Sequence, residues 1–228
     1  MLLYITKEGD ILGTSTRRTN KTINKILNKH KIESNGDGIN QIISEALFPK
    51  KGNSKIKNSI INSTCSKSFI YVIKSIVTIS QTINTDKNFN FNIQNYKDLS
   101  KLEKIECISE NLCIDEDPLL KQTIMNVLYN ESSPIEYFKD GYIVIKDILT
   151  EYYTEHFEKI MFEELASSIS NIDDEECKNK VKILVKKEID NNFAYRDYQL
   201  IIENNEDEKF LSKKLRSIGS LILRGLKA

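Results

Sequence analysis

Residues 145–169 read IKDILTEYYTEHFEKIMFEELASSI, and the fold follows from their spacing. Ile145, Ile148, Leu149, Tyr152, Tyr153, Phe157, Ile160, Met161, Leu165 and Ile169 recur every three or four positions for about seven turns, the period of an amphipathic α-helix. A helix of this length is expected to be the centre of the domain. Downstream, Asp173 is expected to cap a second helix. Asp174, Glu175 and Glu176 complement the dipole in its first turn, and Val181, Leu184, Val185, Ile189 and Phe193 make its inner stripe. A last helix is read through Phe210, Leu211, Leu215, Ile218, Leu221 and Ile222.

Upstream the same period continues. Asp140-Gly141 marks a turn, and before it Pro118 stands at a first-turn position ahead of Leu119, Leu120, Ile124, Val127 and Leu128. Leu99, Leu102, Ile105, Ile108 and Leu112 share one helical face, preceded by an asparagine-rich loop from Asn84 to Asn95. Phe69, Val72, Ile73, Ile76, Val77, Ile79 and Ile83 also keep a helical rhythm, although their β-branching makes a strand the competing reading. Lys50 to Lys55 reads as a polar loop. Ile39, Ile42, Ile43, Ala46 and Leu47 predict a short helix between Gly38 and Pro49. The result is an all-α, irregular multi-helix domain over residues 65–228, behind a basic N-terminal arm over residues 1–60 that carries one short helix and is otherwise expected either to be mobile or to fold against something.

Composition agrees with this class. Of 228 residues 39% are hydrophobic and 29% charged, enough to build a core without staples. Only 8 Gly and 3 Pro are present, too few for the turns of a many-stranded sandwich or barrel. The 33 basic and 33 acidic residues cancel, so any polyanion affinity must be local. They are unevenly spread. Residues 11–74 hold 12 Lys or Arg against Glu33, Asp37 and Glu45, a net +9, whereas residues 75–228 hold 20 against 28, a net −8. A split of this kind fits a basic arm that touches an acidic body, a partner or nucleic acid, or simply two solvated surfaces. No window reaches the roughly 18 apolar residues of a membrane span and residues 1–12 lack the apolar run of a signal peptide, so a cytoplasmic protein with no membrane contact is expected.

The candidate chemistry is sparse. Cys65, Cys107, Cys113 and Cys177 form no CxxC pair and read as reduced core filler. His30 and His156 cannot make a three-histidine site, and neither lies at zinc-motif spacing from a cysteine, so no metal is expected. No GxxxxGK[ST] or GxGxxG run is present, which argues against nucleotide hydrolysis, and no cofactor is expected. Glu151, Tyr152, Tyr153, Glu155, His156 and Glu158 form the richest constellation. A di-iron bundle would need Glu-x-x-His, but Tyr153 stands three before His156. Glu155 and Lys159 instead read as an i,i+4 surface pair on a solvated or interface helix, with an enzyme centred on Glu155 and His156 as the lesser alternative. On the arm, Arg17, Arg18, Lys21, Lys25 and Lys29 suit phosphate contact, and the absence of interleaved aromatics leaves base stacking without a platform. Weak nucleic-acid contact through these residues, and hence a nucleic-acid-binding adaptor, is the alternative functional reading.

Three stretches resemble one known family. Gly13-Thr14-Ser15 is similar to the Met-Gly-Thr-Ser start of the B component of the Qat anti-phage defence system (QatB-like proteins). Ile108 to Tyr129, ISENLCIDEDPLLKQTIMNVLY, resembles a family segment in which a short loop opens an acidic helix, and Ile145 to Phe193 resembles its two long amphipathic helices joined by a short acidic turn. The resemblance spans about half the chain and implies a non-catalytic helical partner in a bacterial defence system. Its companions would be an ATPase, a QueC-like enzyme and a TatD-like nuclease. The Gly-Thr-Ser element lies at position 13 rather than at the start. Lys7-Glu8-Gly9-Asp10 can be encoded by a ribosome-binding sequence and Leu12 by TTG, a bacterial start codon, so one expectation is a protein beginning at Leu12 and trimmed to Gly13. The other is a genuine arm that opens with Leu2-Leu3-Tyr4-Ile5. QueC-like enzymes join an amine to an activated deazaguanine carboxylate, so the resemblance implies Gly13 as a modified amine, with Thr14, Ser15, Arg17, Arg18, Lys21 and Lys25 presented to a partner.

Overall fold

The computed structural model describes residues 55–85, 98–113, 117–165 and 174–226, with 55–56, 159–165 and 174–177 as backbone only. Among the described residues the protein is all-α. Its helices are α1 (Lys55–Thr64), α2 (Lys67–Thr85), α3 (Lys101–Leu112), α4 (Pro118–Tyr129), α5 (Pro134–Phe138), α6 (Gly141–Leu165), α7 (Asp174–Asn192), α8 (Tyr195–Glu203) and α9 (Glu208–Gly225). The predicted helix at 39–47, the loop at 86–95 and the Asp173 cap lie outside the described residues.

Most helix starts are set by side chains that satisfy the free N–H groups there. Ser100 and Glu103 form a reciprocal capping box at α3 (2.8 and 3.3 Å), and Asp117 accepts from the Leu120 N–H at 3.0 Å ahead of Pro118 at the start of α4. Asp207 accepts from the Phe210 N–H at 3.0 Å to open α9. Asp140 accepts from the Ile143 N–H at 3.1 Å, so the turn predicted at Asp140-Gly141 is the first turn of α6, four residues ahead of its apolar run.

α6 is the hub, packed against α1, α2, α4, α5 and α7. Thr150, Glu151, Tyr152, Tyr153 and Thr154 are five consecutive buried residues, and five residues turn through more than a full circle. The expected stripe is therefore an encircled helix. Its hydroxyls bond back into its own backbone, Thr150 to the Lys146 carbonyl (2.8 Å) and Thr154 to the Thr150 carbonyl (2.7 Å), which makes them cheap to bury. α9 closes the other side of the core against α7, α1 and α2.

Between residues 69 and 83 the helical rhythm prevails over β-branching, because Phe69, Val72, Ile73, Ile76 and Val77 are all enclosed by the core. Asn84, expected in the loop, belongs to α2, and its amide donates to the Lys139 carbonyl at 3.1 Å. Leu102, expected on the inner face of α3, is 57% exposed, since it lies one turn ahead of the point where α3 meets the core at Ile105. The core takes in Ile60, Ile61 and Thr64 of α1, ahead of the expected boundary at residue 65.

Candidate functional site

Glu151, Glu155 and Glu158 stand at i, i+4 and i+7 and therefore share one face of α6. Antiparallel to them on α7 stand Lys178 and Lys182, also four apart. Lys182 Nζ donates to Glu151 Oε2 at 2.6 Å and Lys178 Nζ to Glu155 Oε1 at 2.8 Å, while Lys178 also lies 2.8 Å from Glu158 Oε2. From α4, the Asn126 amide donates to both Glu151 Oε1 and Glu155 Oε1 at 3.3 Å, and Gln122 in turn holds the Asn126 carbonyl at 2.7 Å. The result is a polar seam that joins three helices.

The seam makes Glu155 an interhelical group; the side chain of Lys159, its expected surface partner, lies outside the described residues. Glu151 is the most enclosed member, its side chain 7% exposed against 42% for Lys182. Partial burial opposes the charge on Lys178. Its hydrogen bonds to Glu155 and Glu158, and their Coulombic attraction, outweigh that and hold the ammonium above its ordinary range. An ammonium so stabilised is a poor proton donor and a poor nucleophile at neutral pH.

The neighbouring aromatics point the same way. Tyr152 and Tyr153 are both 1% exposed, and burial, the largest influence on each, raises their phenols well above the ordinary range. The Tyr152 ring packs at 5.0 Å on Phe69, and His156 meets it edge-on at 4.6 Å. Cys65, Cys107 and Cys113 are free thiols, half-buried. The first and last pack against the core as expected, and burial followed by the nearby Asp117 carboxylate pushes the Cys113 thiol up to about 11. Among the described residues no group of three His, Cys, Asp or Glu side chains converges where a metal could be held.

A second polar cluster ties α6, α7 and α8 together at the start of α6. Tyr142 donates to the Phe193 carbonyl at 3.0 Å, stacks near Phe193, Tyr195 and Tyr198, and carries Lys146 over its face at 5.2 Å. Lys146 also pairs with Asp190. Gly13, Thr14, Ser15, Arg17, Arg18, Lys21 and Lys25, with His30, lie outside the described residues. The lysines of the seam escaped the sequence reading. The signal that could have located them is the match between a Glu151/Glu155 pair and a Lys178/Lys182 pair, each four apart, on two successive helices joined by a short turn. No model of a known protein family matches the chain, and no curated protein or solved structure matches it either.

Proposed function

We propose that the chain is a non-catalytic helical partner protein of a bacterial anti-phage defence system, whose body holds a basic tail out to companion proteins. The observation that carries this reading is the seam. The only constellation that looked reactive in the sequence has its carboxylates engaged by lysines and an asparagine of neighbouring helices. Such an arrangement fixes helices relative to one another and leaves the distinctive chemistry to the tail.

The resemblance of Gly13-Thr14-Ser15 and of the α3–α4 segment to QatB-like proteins supplies the context: a QueC-like enzyme as the companion acting on Gly13, with an ATPase and a TatD-like nuclease as further partners. The Gly13 amine would attack an activated carboxyl group held by the companion, forming an amide as the activating group leaves and the amine gives up its proton. Glycine suits this because no side chain crowds the nitrogen.

Phage challenge of cells carrying the gene with its neighbours tests the reading. Gly13→Arg is expected to abolish protection, while Glu155→Gln and His156→Ala preserve it. Protection that survives Gly13→Arg but is lost in both helix variants, with their folding intact, would favour the enzyme reading.

A further inference from the structure

We propose that the exposed face of α9, with α1 beside it, is a docking surface for the phosphates of nucleic acid. Leu211, Leu215, Ile218 and Ile222 are buried, which fixes the orientation of α9 and turns Lys209, Lys213, Arg216 and Arg224 outward. Spacings of four, three and eight residues place these four cations on one stripe, about 22 Å long at the helical rise. All four are exposed, and no acidic residue interrupts the run from Lys209 to Arg224. None takes part in the ion pairs found among the described residues. The remaining cation of α9, Lys214, points to α8 and pairs with Asp197 at 2.5 Å.

The flank of the stripe is equally telling. Arg216 Nη2 donates to Asn62 Oδ1 of α1 at 3.5 Å, and Asn58, Ser59 and Asn62 are exposed there. Neither α1 nor α2 contains an acidic residue. In a chain of zero net charge, four cations and no acid lie along the stripe itself, between exposed Glu206, Asp207 and Glu208 at one end and Glu188, packed against Gly225, at the other.

Phosphate is favoured over an acidic protein as the occupant because of what the face lacks. Protein interfaces draw their affinity from buried aromatic or apolar anchors, and the stripe offers none; Leu221, the exposed apolar residue of α9, lies off it. Lysine, arginine, serine and asparagine are the side chains that hydrogen-bond phosphates and sugars. Without aromatics to stack on bases, binding would be independent of sequence and strongly dependent on salt. This surface is distinct from the arm cations Arg17, Arg18 and Lys21, and it belongs to the folded body.

Fluorescence anisotropy of the full chain with a labelled random-sequence DNA duplex, titrated across salt concentrations, tests this. Each phosphate neutralised contributes about −0.9 to the slope of log affinity against log salt. The variant K209Q/K213Q/R216Q/R224Q is expected to flatten that slope by about 3 and to weaken low-salt binding ten-fold or more. K186Q/K187Q on α7 should change neither. On the unmutated chain, duplex should protect Lys209 and Lys213 from amine acetylation while Lys186 and Lys187 stay reactive. An α9 variant that binds like wild type, a loss confined to R17Q/R18Q/K21Q, equal acetylation with and without duplex, or tighter binding to polyglutamate than to duplex would each overturn the assignment.

Discussion

At the scale of single residues, the core is decided by contacts too close for any other side chain. Gly219 sits inside α9, where glycine costs about 1 kcal/mol of helix stability relative to alanine. It is retained against the buried Tyr153 hydroxyl, which a Cβ at position 219 would approach to 2.5 Å. Tyr153 is enclosed and cannot swing aside, so Gly219→Ala is expected to destabilise the protein by about 1–3 kcal/mol in urea unfolding despite its better propensity. Adding Tyr153→Phe should recover part of that loss, because the clashing atom is then gone; a simple sum of the two single effects would show that the contact is not the cause. Cys113 gives a second test. Its raised pKa leaves about 100-fold less thiolate near pH 8 than an ordinary cysteine, so alkylation of the native protein should be slow there and jump on unfolding. Little of this was legible beforehand. The sequence marks Gly219 as an interruption in a helix, but only the packing of α9 on α6 shows what occupies the space. Cys65 and Cys113, by contrast, were readable as filler from their lack of partners at metal or disulfide spacing.

At the scale of helices, legibility followed the strength of the pattern. α4, α6, α7 and α9 announce themselves by apolar spacing, because each lays a long face on the core. α1, α5 and α8 were missed, being short; α1 in particular reads as polar, and it is held by Ile60, Ile61 and the back-bonded Thr64. The seam lay between these extremes, since its acids were visible but its lysines stood 23 and 31 residues further along the chain. Its energetics follow from burial. Lys182→Ala strips Glu151 of its cation while leaving Asn126, and is expected to cost about 1–2 kcal/mol, below the cost for a fully buried pair because Lys182 is 42% exposed. Replacing both by leucine should cost less than the single change. The raised pKa of Lys178 means that the folded state holds this proton more tightly than the unfolded chain. Stability from the Lys178 pairs is therefore full at neutral pH, begins to decline in the ordinary lysine range and is lost only as pH climbs from there to the raised folded-state value. Lys178→Met should flatten that alkaline decline, as read by thermal melts in a pH series.

At the scale of the whole molecule, the basic side of the charge split reaches into the folded body. The net +9 of residues 11–74 extends through Lys55, Lys57, Lys67 and Lys74 of α1 and α2, which α9 joins from the far end of the chain. No run of sequence could show that joining, because α1 and α9 are some 150 residues apart. Deleting residues 1–35 should leave cooperative unfolding intact. Extending the deletion through Ser66 should not, since it removes α1 and uncovers α9 beside Gly219. The claim that the body is a holder and the tail the working part is tested most directly by mass spectrometry of the protein purified from cells that also express its neighbouring genes. The account predicts an N-terminal peptide that begins at Gly13 and carries added mass, with the mass absent when the QueC-like companion is deleted. A native peptide that retains Met1 to Leu12, or a Gly13 of unaltered mass beside an active companion, would contradict it.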